Sequence, residues 1–170
     1  QSVCELCTAG TFTDAVGRSQ CDRCVRGRYM EASGATVCTG CGEALSAAIT
    51  DFLGAISAND CICPEGTYQS LATCQLCTEG MLCEKSGLTA PMQALRFFIK
   101  VIARSDGTHE YSTYRCRNSE QCVPGAAGTC AKGRTGIGCG TCLENHFQAD
   151  NGECHLCKSS DAIMITAFAC

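Results

Sequence analysis

Six pairs of cysteines in this sequence are separated by two residues: 4/7, 21/24, 38/41, 74/77, 139/142 and 154/157. That spacing suits three chemistries. Two neighbouring thiolates can chelate zinc, and the pairs 4/7 and 21/24, with thirteen residues between them, have zinc-ribbon spacing. His146 and His155, beside Cys139, Cys142, Cys154 and Cys157, add candidate nitrogen ligands. A C-x-x-C pair at a helix N-terminus can instead cycle between dithiol and disulfide. The third use is structural, as disulfide bridges.

A zinc site built from two pairs requires the pairs to divide into fours. The three in-phase pairs between residues 4 and 41 do not, and Cys61, Cys63, Cys83, Cys116, Cys122 and Cys130 belong to no pair. Thiol exchange needs a helix on a βαβ frame, whereas these pairs adjoin turn glycines or further cysteine loops. No Ser/His/Asp set, phosphate loop or paired-carboxylate arrangement stands out. The reading is therefore non-enzymatic, with no catalytic residue, metal ligand or cofactor assigned. Structural disulfides are preferred, and a zinc-binding protein using C-x-x-C pairs is the alternative. Disulfides imply an oxidising compartment, extracellular or within an organelle lumen.

The elements that would hold these sulfurs follow from a repeat. Cys4, Cys21 and Cys38 are seventeen apart, as are Cys7, Cys24 and Cys41, and the residues between are also in phase. Counting from Cys7, glycine falls at +3 (Gly10), an aromatic at +5 (Phe12), glycine at +10 (Gly17) and cysteine at +14 (Cys21). From Cys24 the same places hold Gly27, Tyr29, Gly34 and Cys38. A shortened unit runs from Cys63 through Gly66 and Tyr68 to Cys74, and another from Cys142 through Asn145, Phe147 and Gly152 to Cys154. Glycine or asparagine at +3 suits a positive φ. The aromatic begins a short strand and covers the sulfurs, and the second glycine turns the chain back into a hairpin with adjacent ends. Closing a loop of about 15 residues is worth about 3 kcal/mol in the chain-entropy model.

The repeat phase suggests Cys7–Cys21, Cys24–Cys38, Cys63–Cys74 and Cys142–Cys154. Elimination suggests Cys41–Cys61, Cys77–Cys83, Cys116–Cys122 and Cys130–Cys139, although sequence alone does not fix connectivity. Cys4, Cys157 and Cys170 are left over, with Cys4 suited to an upstream unit and Cys170 to a free thiol. Composition agrees: 19 cysteines in 170 residues mark a disulfide scaffold. With cysteine set aside, only about a third of the chain is apolar, thin for one large core. The expected fold is small, disulfide-rich and mostly irregular, with short β-hairpins, little helix and elongated tandem modules.

A net charge of −4 with well-mixed signs excludes the basic face that nucleic acid requires. Even the densest basic patch, Arg18, Arg23, Arg26 and Arg28, is interleaved with Asp22 and Glu31. Residues 43–58 form an apolar loop with one helical turn. In the cysteine-free stretch 84–115, "LRFFIKVIA" reads as a buried strand, "RSDGT" as a turn and "HEYSTYR" as the return strand. Two apolar groups, Phe52, Leu53 and Ile56 and then Phe97, Phe98 and Ile99, are the expected partner-binding surface. With Gln at position 1 and no signal peptide, the chain reads as a processed product or fragment. The tail "DAIMITAFAC" fits the start of a membrane helix, giving membrane contact through 162–170, and fits a short docking segment equally.

The stretches "CTAGTFTDAVGRSQCDRC" and "CVRGRYMEASGATVCTGC" resemble ephrin type-A/B receptor-like cysteine-rich repeats, relatives of the tumour-necrosis-factor receptor and EGF-like modules. "GAISANDCICPEGTYQS" is similar to the linker-plus-repeat found in repeat arrays of protist and algal membrane proteins. "CAKGRTGIGCGTC" has the C-x-x-G-x-x-G-x-x-C form of a laminin- or EGF-type turn. The resemblance covers residues 4–77 and 114–157, with departures at Asn145, the short unit 63–74 and the hairpin 95–115. It implies a non-catalytic scaffold whose partner is a membrane protein or membrane complex, and favours the membrane-helix reading of the tail. The expected organisation is two 17-residue repeats (1–42), a linker loop plus third repeat (43–83) and a hairpin insertion (84–115). An EGF/laminin-like segment with the final repeat (116–157) and the apolar tail (158–170) complete it.

Overall fold

A computed structural model describes residues 5–157. The tail 158–170, with its membrane expectation, and Cys4 lie outside the described residues. The described residues contain no α-helix, many two-strand hairpins, three short 3-10 turns and eight disulfides. They form small, disulfide-rich, irregular modules. The chain divides into two compact units: one runs to Cys77 and includes Cys83–Ala90, and the other comprises Thr78–Leu82 and the chain from Pro91.

In the first unit each repeat is a minimal hairpin. Thr11–Phe12 pairs with Asp22–Arg23, Arg28–Tyr29 with Thr39–Gly40, and Thr67–Ser70 with Thr73–Leu76. Strands of two to four residues supply too few hydrogen bonds to hold themselves, so each relies on its bridge and on its neighbour. The +3 glycines Gly10, Gly27 and Gly66 have φ of 77°, 80° and 80°, a conformation open to glycine at little cost.

Neighbouring repeats stack through three main-chain bonds in fixed phase. Between the Cys7 and Cys24 repeats, Gly10 N–H donates to the Met30 carbonyl (2.8 Å), Thr13 N–H to Ala35 (3.1 Å), and Gly34 N–H back to Cys7 (2.7 Å). Seen from the opening cysteine, these join +3 to +6, +6 to +11, and +10 to 0. The same three bonds join the Cys63 segment to the one opening at Cys77: Gly66 to Cys83 (2.7 Å), Gln69 to Leu88 (2.7 Å) and Gly87 to Cys63 (2.7 Å). A repeat thus opens at Cys77 inside what reads from sequence as a linker and insertion. It has Gly80 at +3 and Gly87 at +10, but Pro91 stands at +14 where the others have cysteine.

Residues 41–61 are also a repeat, lengthened by six. Met30 N–H donates to the Ala55 carbonyl (3.0 Å) and Gly54 N–H to Cys24 (2.8 Å), the second and third stacking bonds. The first is made by a side chain: the buried Thr50 hydroxyl accepts the Gly27 N–H (3.0 Å) and donates to the Phe52 carbonyl (3.0 Å). The helical turn expected in this loop appears as two 3-10 turns at its ends, Cys41–Glu43 and Ala58–Asp60.

In the second unit Phe97–Ala103 pairs with His109–Arg115, register Phe97↔Arg115 to Ala103↔His109. Asp106 closes the turn by accepting the Thr108 N–H (2.9 Å) and hydroxyl (2.6 Å). The expected buried strand 95–103 is shorter and only partly buried. Leu95 is exposed, Arg96 has φ 72°, and Ile99 is the one residue of the strand that is fully buried. Before the hairpin, Met92–Gln93 joins Met81–Leu82 and Gly125–Ala126 in a three-stranded sheet.

Gln93 is the centre of this unit. Its side chain is fully buried and makes four hydrogen bonds. Nε2 donates to the carbonyls of Val123 (2.9 Å) and Thr129 (2.7 Å), while Oε1 accepts from Ile99 N–H (2.9 Å) and Gly128 N–H (3.3 Å). An amide can make no more than two donor and two acceptor bonds of this kind, so all its capacity is used. Beside it Cys116, Cys122 and Cys139 form a buried cluster, with Phe98 and Cys130 packed against them.

Candidate docking surface on a disulfide framework

The sixteen cysteines named in the sequence-based pairings are joined in eight bridges: Cys7–Cys21, Cys24–Cys38, Cys41–Cys61, Cys63–Cys74, Cys77–Cys83, Cys116–Cys122, Cys130–Cys139 and Cys142–Cys154. Their Cα separations run from 5.3 Å (Cys63–Cys74) to 6.4 Å (Cys77–Cys83), within the usual range. In the pairs 21/24, 38/41, 74/77 and 139/142 both cysteines are bridged, each to a cysteine outside its own pair. One member closes a loop and the other opens the next. A sulfur bound in this way is not a thiolate and has no free valence to offer a metal.

His146 and His155 lie on the hairpin His146–Gln148/Cys154–Leu156 in successive cross-strand pairs, His146 opposite Leu156 and Phe147 opposite His155. Successive pairs point to opposite faces of a ribbon, so the two imidazoles do not converge. His146 Nδ1 lies 3.0 Å from the Glu144 carbonyl, and His155 lies 3.4 Å from the Glu153 carboxylate. The aromatic cover expected from Phe147 is not made. Phe147 is exposed, its ring centroid 6.1 Å from that of His155. Tyr68, by contrast, is buried.

The two apolar groups expected to bind a partner fare differently. Phe52, Leu53 and Ile56 are 50%, 54% and 55% exposed. Their loop is held on both sides: inside by Thr50 and Gly54 on the Cys24 repeat, outside by Asp60. The Asp60 carboxylate accepts the N–H groups of Ile56 (2.9 Å) and Ser57 (3.0 Å), and Ser57 caps the 3-10 turn Ala58–Asp60. Three apolar side chains are therefore displayed on a backbone anchored by hydrogen bonds at Phe52, Gly54, Ala55, Ile56 and Ser57. The second group is less exposed, with Phe97 and Phe98 half-buried. Ile99 is fully buried, Phe98 packs on the cysteine cluster, and the Phe97 ring lies where a Cβ on Gly80 would stand. Alternation along the strand puts Phe97 and Ile99 on one face and Phe98 on the other, and Ile99, being fully buried, is withdrawn from any binding surface.

Two groups have shifted acidities. Asp106 is held below its ordinary 3.8, first by the Thr108 hydroxyl and then by the Thr108 N–H. Burial raises Tyr111. Neither lies near the Phe52 loop in sequence. Among the described residues no helix is long and apolar enough to cross a membrane.

Residues 1–41 match the family model described as tyrosine-protein kinase ephrin type A/B receptor-like. The opening repeats are ephrin-receptor-like. The matched segment holds the repeats opening at Cys7 and Cys24, whose stacking bonds recur in the Cys41 and Cys77 repeats beyond it. No curated protein matches the chain. Ephrin-receptor-like modules of this kind are typical of non-catalytic domains, and eight bridges point to an oxidising compartment.

Proposed function

We propose that this chain is a non-enzymatic extracellular or lumenal scaffold that docks a protein partner. That partner is a membrane protein or a subunit of a larger membrane complex, with this chain as its ectodomain segment or lumenal accessory. The observation that carries the reading is the bridge pattern: each cysteine of the fully bridged C-x-x-C pairs is spent on loop closure, and stacking uses main-chain atoms apart from the Thr50 hydroxyl. Such a framework fixes spacing while leaving exposed side chains free for recognition. The Phe52, Leu53 and Ile56 loop supports the docking role, because it exposes apolar area at a rigid position, where little ordering entropy is lost on association.

The first test is a thiol count on protein from its native source, denatured without reductant, alkylated and weighed intact, with metal analysis in parallel. The scaffold reading expects at most three labelled cysteines, 19 less the 16 in bridges, and no stoichiometric metal. Many labelled cysteines with bound zinc would replace it with the zinc-binding alternative. The docking role is tested separately with Phe52→Ser, Leu53→Ser and Ile56→Ser combined. Retained association with source membranes would remove this loop from the interface.

A further inference from the structure

Each stack has a giving edge and a receiving edge. On the receiving repeat the groups are the +6 carbonyl, the +11 carbonyl and the +10 glycine N–H, replaced in the lengthened Cys41 repeat by the Thr50 hydroxyl, the Ala55 carbonyl and the Gly54 N–H. A fourth contact accompanies them: the side chain directly before the giving repeat's opening cysteine lies over the receiving glycine. A Cβ on Gly34 would stand 3.2 Å from Leu6, one on Gly54 3.7 Å from Arg23, and one on Gly87 3.7 Å from Ile62.

The Cys7 repeat gives to the Cys24 repeat, and it carries the same receiving groups on its other edge: the Thr13 carbonyl, the Arg18 carbonyl and the Gly17 N–H. Their geometry is already set. Gly17 has φ 84°, beside 77°, 77° and 75° at Gly34, Gly54 and Gly87. Arg18 is held between Asp14 (3.1 Å) and Asp22 (3.0 Å). Among the described residues none of the three groups has a hydrogen-bond partner, and nothing lies within 4 Å of where a Cβ on Gly17 would stand. Val16 beside it is fully exposed.

We propose that this edge docks a further cysteine-rich repeat of the same phase, one with an aliphatic residue directly before its opening cysteine. The interface is a continuation of the three already formed. The incoming repeat gives its +3 N–H to the Thr13 carbonyl and its +6 N–H to the Arg18 carbonyl. Its opening cysteine carbonyl accepts the Gly17 N–H, and its aliphatic residue covers Gly17 as Leu6 covers Gly34. The inference depends on the scaffold reading only in requiring oxidised bridges, which the thiol count tests independently.

The experiment places such a repeat beside the edge. Residues 4–20 are duplicated directly ahead of Cys4, so that the added repeat opens at the copy of Cys7, closes on Cys4 fourteen residues later, and presents the copy of Leu6. Hydrogen exchange at Gly17 is followed by NMR in both chains. The expected result is a slowing of about a hundredfold at the Gly17 amide, to the level of the Gly34 amide in the same molecule. Changing the copied leucine to serine should reverse part of it. Unchanged Gly17 exchange with the eight parental bridges intact overturns the proposal. Should that duplication mispair its cysteines, residues 21–37 duplicated at the same place with the copied Arg23 changed to leucine supply a second in-phase repeat that meets the same requirement, and exposure of Gly17 there too overturns it equally.

Discussion

The Cys24 repeat and the segment around Gln93 solve one problem in two ways. Both must tie a strand of two residues to its surroundings. Cys24, fully buried, does so with a covalent bridge to Cys38, and its carbonyl receives the Gly54 N–H. Gln93, equally buried, lies in a three-stranded sheet whose strands contain no cysteine and instead ties Val123, Gly128, Thr129 and Ile99 with one amide. The covalent tie acts mainly by limiting the unfolded chain. The amide acts in the folded state, because removing it strands buried main-chain groups. The difference teaches that cysteine spacing marks only some of the places where this molecule is fastened.

The sharpest way to break the comparison is Gln93→Leu. It removes four bonds, leaving the buried Ile99 N–H and three less buried main-chain groups without this partner, at about 1–3 kcal/mol for a fully buried group. A loss of about 3–6 kcal/mol is expected in denaturant unfolding, with the Ile99 and Gly128 amides becoming the fastest-exchanging of those now protected. A loss below about 1 kcal/mol would show that water replaces the amide without penalty. Next comes replacement of Cys24 and Cys38 together by alanine, expected to cost about 3 kcal/mol. That loss should shrink when both proteins are compared under reducing conditions, whereas the Gln93→Leu defect should not depend on redox state.

Thr50→Val tests the mixed case, a stacking bond made by a side chain. It keeps the shape but leaves the Gly27 N–H without its acceptor, for an expected loss of about 1–2 kcal/mol. The Gly27 amide should then exchange faster while the Gly34 amide holds. The smallest effect belongs to Asp106. Its folded acidity constant lies below its ordinary 3.8, so the carboxylate's contribution is present above that pH and is lost as pH falls through the folded value. Carboxyl titration by NMR should show a midpoint below 3.8, and Asp106→Asn should weaken that pH dependence at the hairpin turn.

The fold class was legible because its signal is carried by residues with few other uses: cysteines at a 17-residue period, and glycines at +3 and +10. The hairpin 97–115 was legible from alternation and from the Asp106-Gly107 turn. What escaped did so for physical reasons. The Cys41 repeat was hidden because six extra residues move its closing cysteine from +14 to +20, and because a threonine hydroxyl can stand in for a carbonyl. The Cys77 repeat was hidden because Cys83 lies at +6 and Pro91 takes the closing place, while its stacking bonds involve only main-chain atoms. Gln93 has no local signature at all, since its four partners lie 6 to 36 residues away. The burial of Ile99 within the apolar group 97–99 was not legible, because hydrophobicity alone does not say which neighbour covers a side chain.

The first five bridges follow one another along the chain, and none encloses another. Pulled taut with its bridges intact, the stretch from Cys7 to Cys83 would offer only its short spacers and five Cα–Cα crossings. Its reach would then be about 70 Å, against about 270 Å for the same residues fully reduced. In mechanical terms this part of the molecule is an inextensible cord: force can separate stacked repeats, but it cannot pay out the chain stored inside each loop until a sulfur–sulfur bond is cut.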